Sequence, residues 1–497
     1  MPTWLAVALG TLAAAVSVAL GSGFTVDDAL ISTRIADHLA AGHGYRFNVG
    51  GDITDSVTPL GWANWLSLFS QGNSFHTLHA ARAFGVLCAL MTGAQLGLLL
   101  RQIGVRRLDA AMLLVPLALS LPFGAWSQSG METTPVALLV TSALVAIERG
   151  RYSLALLLSG VAGALRPELI PWGFTLSILL PADARWERPL RGLLALAPPG
   201  LVACLRLALF GAAAPLAVYA KPADSWQGLV YVLSGVALVG LPMLCVGFKG
   251  WTRVPARAAV VGIATAAELF GLVAAGGDWM ALFRLLVPLL PCFLYLGAHL
   301  TRSTNAGPAA SARWATPLRA AAASATCLFV VSNSWESARG VITERQRAIS
   351  DLALLLSGAR IVGTVDVGWV GAATDQAVVD FAGATDEEVA RLAGSHTSKR
   401  LPSDFLERRD IDTLVLLLAP GATTEETLQA WDVPWQGLSF ARTVEQRITR
   451  LTGAERFVPV GHIGFGAVKG AAPGTQYTYL VLQKQAFARR SPSTGDR

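Results

Sequence analysis

The run WLAVALGTLAAAVSVALGSG, residues 4–23, carries no charged residue, and about twenty apolar residues are what one helix needs to cross a bilayer core. Comparable runs recur at 77–100, 108–125, 133–147, 190–210, 228–248, 257–275, 284–300 and 317–333. A further stretch, 153–181, is interrupted by Arg166-Pro167-Glu168, which leaves two pieces too short to span separately. It reads as one broken helix or as a re-entrant pair. The 497 residues are 53% apolar and only 14% charged, against roughly 25% charged in soluble domains. That balance excludes disorder, a coiled coil and an ordinary soluble enzyme. The expected fold class is an α-helical polytopic membrane domain of about ten or eleven segments.

The net charge of +6 does not indicate nucleic acid, because the basic residues sit in short loops between apolar runs. One set of loops holds Arg101, Arg106 and Arg107; Arg149 and Arg151; Arg185, Arg188 and Arg191; Lys249, Arg253 and Arg257; and Arg302, Arg313 and Arg319. These are expected in the cytoplasm. Alternation then survives only if 153–181 leaves and returns on one side, which favours the re-entrant pair. It also places the Asp27 loop and everything after Asn333 outside, with the chain multi-pass in the inner (plasma) membrane. The leading Met1-Pro2-Thr3 lacks Lys and Arg, so the first run is read as a retained span rather than a cleaved signal peptide. Cys88, Cys204, Cys245, Cys292 and Cys327 all lie in hydrophobic segments, so no disulfide framework or CxxC metal site is written here.

Residues 1–334 form the expected membrane domain. From Trp335 the hydropathy drops and charge density rises, so 335–485 is expected to be a small soluble α/β domain and 486–497 a disordered tail. Strands are predicted at 361–365, 377–381, 413–418 and 477–482. Helices are predicted at 336–356, 386–392 and 424–431, the last opening with the cap-like Thr423-Thr424-Glu425-Glu426. Gly461–Gly470 is glycine-rich but lacks phosphate-loop spacing.

Four polar clusters gather on the expected outer side. Asp27 and Asp28 open a helical stretch. Asp28 then either caps that helix, or the two adjacent carboxylates repel, which raises one pKa and suits it to proton abstraction. Gly276-Gly277-Asp278-Trp279-Met280 is followed by Arg284. Glu132 marks the start of a span, and Lys221 follows Tyr219-Ala220. Arg166 and Glu168 lie deeper, where ionisable groups face a cavity or each other. His38 and His43 could ligate a divalent metal, but unaided His residues in a surface loop are more often solvated, and no metal or other cofactor is expected.

Taken in order, Asp27-Asp28-Ala29-Leu30-Ile31 with Arg34, Gly42-His43-Gly44, Phe47-Asn48 and Thr58-Pro59-Leu60-Gly61-Trp62 resemble the first extracytoplasmic loop of GT-C glycosyltransferases. The likeness is to the terminal β-(1→2)-arabinofuranosyltransferase family of mycobacterial cell walls. It extends to Met131-Glu132-Thr133, Arg166-Pro167-Glu168, Tyr219-Ala220-Lys221, Gly277-Asp278-Trp279-Met280 and Asp366 to Leu392. The chain departs from the family at Asp52 to Pro59, where an acid and an aromatic–Thr pair are commonly found before the proline, and its soluble domain is short. The resemblance implies a polyprenyl-phosphate sugar donor, a cell-envelope glycan or lipid acceptor, and Asp27 and Asp28 as the catalytic acids.

On that footing Lys221 and Arg284 are expected to hold the donor phosphate. Asp278, Glu132, Arg166 and Glu168 are expected to contact the substrates. Two alternatives without chemistry are a transporter or flippase of a lipid-linked sugar, and a receptor or assembly subunit that binds through its outer domain.

Overall fold

The computed structural model describes residues 1–182, 186–221, 223–246, 254–302, 312–422, 429–435, 438–467 and 476–485. They divide into two compact units. One, a helical unit, comprises Met1–Thr25, His79–Leu207 and Ala223–Arg339; the other, an α/β unit, comprises Val26–Leu78, Ala208–Pro222 and Gly340–Arg497. The division at Arg339 and Gly340 lies near the boundary expected after residue 334. The recruitment of Val26–Leu78 and Ala208–Pro222 by the α/β unit has no counterpart in the sequence reading.

Among the described residues six helices are long and apolar enough to cross a membrane: Thr3–Leu20, Ser74–Ile103, Glu187–Phe210, Ser225–Cys245, Ala256–Ala275 and Arg284–Thr301. Arg107–Ala118 and Leu121–Gln128, bent by 58° at the break, would make a seventh. The expected ten or eleven segments included shorter pieces that fold as the helices Thr133–Glu148 and Tyr152–Leu165. They also included 317–333, which lies within the helix Ala312–Ala338. Helix association in lipid depends on close backbone approach. Gly10 and Gly93 supply it: a Cβ on either would run into the other's carbonyl oxygen.

The 153–181 stretch is a helical hairpin. Tyr152–Leu165 ends at Arg166, whose extended backbone (φ −134°, ψ 94°) is what a residue before proline favours. After the turn Pro167–Leu169 the chain resumes as Ile170–Leu179. The two arms fold back on each other, since a Cβ on Gly173 would sit 3.2 Å from Ser159 Oγ. Elsewhere in this unit Glu148 accepts from Arg257 at 2.7 Å and from the Tyr295 hydroxyl at 3.1 Å, with His299 Nε2 at 3.4 Å. This cluster ties three helices together.

In the α/β unit all four predicted strands form, as β1 (Ile361–Thr364), β2 (Ala377–Asp380), β3 (Thr413–Leu417) and β7 (Gln476–Lys484). Three further strands are β4 (Trp431–Trp435), β5 (Leu438–Arg442) and β6 (Phe457–Ala467). The main sheet has the order β2-β1-β3-β7-β6, with β2, β1 and β3 parallel and β7 antiparallel to both its neighbours; β4 and β5 make a separate hairpin. The parallel strands are continuous apolar runs because both faces are covered. Phe381, Phe405, Leu414 and Leu480 form part of the buried core. The predicted helices 336–356 and 386–392 form as Val341–Leu355 and Glu387–Arg391, the latter capped by Asp386, whose Oδ1 accepts from Val389 N–H at 3.1 Å. For the predicted helix 424–431, residues 423–428 lie outside the described ones, and Trp431 belongs to β4, not to a helix. The tail 486–497 also lies outside them.

The helix Asp27–Ala40 joins this unit through Ile31 and Ile35, which pack with Phe47 and Val57 against Val367 and Val378. Arg34, buried and stacked 4.9 Å from the Phe47 ring, donates to the carbonyls of Phe47 (2.9 Å), Gly371, Thr374 (2.9 Å) and Gln376 (3.2 Å). Burial lowers its pKa to about 10, against the pull of Asp375 and Asp37. Asn48 behaves as an extra strand residue: Oδ1 accepts from Val378 N–H at 2.9 Å and Nδ2 donates to Val378 C=O at 2.8 Å. It closes the open edge of β2, which would otherwise present unpaired backbone groups. Asn48→Ala removes both bonds, and at about 0.5 to 1.5 kcal/mol each the expected loss is about 1 to 3 kcal/mol in denaturant unfolding of the purified protein. Unchanged stability would show that water replaces Asn48 without cost.

Candidate active site

The structure sorts the site residues expected from sequence into three groups. Asp27, Asp28 and Lys221 belong to the α/β unit; Glu132, Arg166 and Glu168 form one cluster of the helical unit, and Asp278 and Arg284 another.

Asp27 and Asp28 occupy the first turn of their helix, and the residue before it is Val26, so neither is the N-cap. The carboxylate of Asp27 instead grips the turn that starts the Val367–Gly371 helix. Oδ2 accepts from Gly368 N–H at 3.0 Å and Oδ1 from Trp369 N–H at 2.7 Å. Burial raises the Asp27 pKa well above the usual carboxylate range, and the charges of Asp366 and Asp28 add to it; the two N–H groups oppose the shift without reversing it. Such a carboxyl can take up a proton at a pH where an ordinary aspartate cannot.

Asp366 is bound on both oxygens, to Arg442 at 3.1 Å and to the Tyr479 hydroxyl at 2.8 Å. Burial alone would raise its pKa, but Arg442, Arg345 and the Tyr479 hydrogen bond together bring it below the usual value. The pKa of His396 falls well below the usual value through burial and the charges of Lys221, Arg442 and Lys399. Lys221 ends the Leu216–Ala220 helix, which is seated through Leu216 and Ala220 against Ala390, with Arg391 stacked 4.7 Å from the Tyr219 ring. Lys399 is committed to the backbone, donating to Ala390 C=O at 2.7 Å and Leu392 C=O at 3.0 Å.

In the helical unit, Arg166 Nε lies 2.5 Å from Glu132 Oε1, Nη1 2.9 Å from Glu168 Oε1, and Nη2 3.1 Å from Thr133 Oγ1. The Arg166 and Glu132 side chains are only 4% and 1% exposed, so each faces the other rather than an open site; Glu168 is 21% exposed. Arg284 and Asp278, given separate roles by the sequence reading, form one ion pair at 2.7 Å, at 12% and 4% exposure. Arg284 also lies 5.8 Å from the Trp126 ring, and Trp126 Nε1 donates to Leu282 C=O at 3.0 Å. Gly276 and Gly277 shape the approach to this pair, with φ of 89° and 70° that favour glycine. His38 Nδ1 lies 2.6 Å from the Arg46 carbonyl, which commits one ring nitrogen to the backbone, and the rings of His38 and His43 are 5.8 Å apart. Among the described residues no three His, Cys, Asp or Glu side chains group as metal ligands.

Asp366, Arg442, Tyr479 and His396 were not singled out from sequence. Asp366 carried a signal: it follows β1 of a parallel set, and the carboxyl ends of such strands are where α/β folds place their ligands. Arg442 and Tyr479 carried none, since their role depends on strands far apart in the chain. No protein-family model, curated protein or solved structure matches the chain.

Proposed function

We propose that this chain is an integral-membrane glycosyltransferase. It moves a sugar, arabinofuranose on the family resemblance, from a polyprenyl-phosphate donor to a cell-envelope glycan or lipid acceptor on the outer side of the inner membrane. The observation that carries the proposal is the state of Asp27: a half-buried carboxyl, beside two other acids, whose affinity for a proton is raised. The apolar helices account for a substrate with a lipid tail.

In this reading Asp27 takes the proton of the acceptor hydroxyl as its oxygen bonds to the anomeric carbon. The bond from that carbon to the phosphate oxygen breaks, and polyprenyl phosphate departs with the electron pair. A phosphate leaving group needs no proton but does need a cation, and Lys221 is the candidate. Arg284, neutralised by Asp278, would serve only with its partner. Glu168 is the member of its cluster with exposure enough to meet a substrate, while Glu132 and Arg166 hold the helices.

The reconstituted protein, offered a panel of polyprenyl-phosphate sugars with envelope glycan acceptors, is expected to release polyprenyl phosphate and lengthen the glycan. One feature favours a carrier instead: Glu268 is fully buried in the apolar Ala256–Ala275 helix, which packs against the Ile170–Leu179 arm of the hairpin, and broken helices with buried acids are common in transporters. A carrier would move the intact lipid-linked sugar and lengthen nothing.

Lys221→Ala removes one charge-assisted contact, worth roughly 1.5 to 3 kcal/mol. The expected result is a donor affinity weakened by about ten- to a hundredfold, with acceptor affinity little changed, in donor titrations at fixed acceptor. Unchanged donor affinity would remove Lys221 from the phosphate site.

A further inference from the structure

Asp366 joins three parts of the α/β unit. Its side chain is tied to β5 through Arg442 and to β7 through Tyr479, at 3.1 and 2.8 Å. Arg442 is in turn held by Glu445 at 2.5 Å, and the side chains of Arg442 and Glu445 are 10% and 4% exposed. Asp366 also immediately precedes the Val367–Gly371 helix, whose Gly368 and Trp369 N–H groups grip Asp27. We propose that Asp366 is a positioning residue for Asp27: clamped by Arg442 and Tyr479, it fixes the turn that holds Asp27 and keeps a second negative charge beside it, so that Asp27 gains or loses its proton according to the charge on Asp366.

The proposal rests on the reading of Asp27 as the proton acceptor. The groups that face the pair come from several elements. Asp28 lies on the helix of Asp27 itself. Arg345, on the Val341–Leu355 helix, is 3.4 Å from the Tyr479 hydroxyl and stacks on Phe465 at 3.8 Å and Trp369 at 5.1 Å. Arg442 comes from β5, Tyr479 from β7, and Glu445 from the Val444–Ile448 helix. The arginines lie on the side of Asp366 and keep it ionised, while burial and the charges of Asp366 and Asp28 leave Asp27 as the carboxyl that protonates first. Two acids in such contact titrate as a pair.

The test is a carboxyl titration of the reconstituted full chain by infrared difference spectroscopy, alongside the pH dependence of transfer. Asp366→Asn is expected to move the Asp27 midpoint down by about one pH unit, a tenfold change in proton affinity. The acid limb of kcat/KM should move with it. Asp366→Glu should leave both near their original values. Asp27 is already neutral where Asp366 titrates, so Asp27→Asn should abolish the upper midpoint and leave the lower one in place, which assigns the upper midpoint to Asp27; Asp366→Ser, which also removes the charge, carries the test if Asp366→Asn does not fold. An Asp27 midpoint that stays in place when the charge of Asp366 is removed overturns the proposal. Shifted midpoints in a protein that transfers no sugar with any donor would uphold the coupling and reject the proposed function; transfer with unmoved midpoints would do the reverse.

Discussion

Asp27→Asn is expected to lower sugar transfer by roughly 10²- to 10⁴-fold, the range seen when a general acid–base group is removed. The amide keeps the shape of the carboxyl and one acceptor oxygen, so one of the two N–H contacts from Gly368 and Trp369 survives, but it cannot accept the acceptor's proton. A purely structural role makes a different demand: loss of a charge-assisted contact, about 1.5 to 3 kcal/mol of stability, and near-normal turnover in the protein that remains folded. Measuring kcat and thermal unfolding on the same reconstituted sample separates the two. Asp28→Asn is the companion variant, because it removes one of the charges that raise the Asp27 pKa. Its expected effect is a shift of the acid limb of the pH profile to lower pH, with a smaller loss of rate. Near-normal turnover in both variants would remove the acid pair from catalysis.

The largest expected effect on stability lies in the helical unit. Arg166→Met leaves Glu132, 1% exposed, without the guanidinium 2.5 Å away, and breaking a buried pair from one side costs about 3 to 5 kcal/mol. The double variant Glu132→Gln with Arg166→Met buries no charge between those two positions and is expected to recover most of that loss. Thermal unfolding in nanodiscs provides the comparison. A single variant as stable as the parent would mean that water reaches Glu132 and that the hairpin turn does not depend on the pair.

The membrane helices were legible because an apolar run without charges has few other uses, and the predicted strands because their runs are short and bounded by turn residues. The hairpin at Arg166-Pro167 was legible for a local reason: proline removes an N–H and constrains its predecessor. What stayed hidden was long-range. Nothing local to Phe47-Asn48 says that Asn48 will pair with Val378, or that Arg34 will collect carbonyls from 371 to 376. Arg34, Phe47 and Asn48, which carried the family resemblance, attach the Asp27 helix to the sheet. The pairing of Arg284 with Asp278 was within reach, six positions apart, but the left-handed backbone of Leu282 and Phe283 between them (φ 61° and 51°) is an unusual turn for such residues. Asp27 was singled out from sequence, whereas its burial and the charge of an acid 339 positions further on, which raise its proton affinity, were not.

The central claim is that Asp27 serves bond making at the anomeric carbon rather than passage of an intact lipid. It is tested most directly by following a donor labelled separately in its sugar and its polyprenyl phosphate, in proteoliposomes carrying either the parent chain or Asp27→Asn. The account expects the labels to part company in the parent, with sugar on the acceptor and polyprenyl phosphate left in the bilayer, and to stay together in the variant. Labels that remain joined in the parent while the lipid changes leaflet, or that separate equally in both proteins, would contradict it.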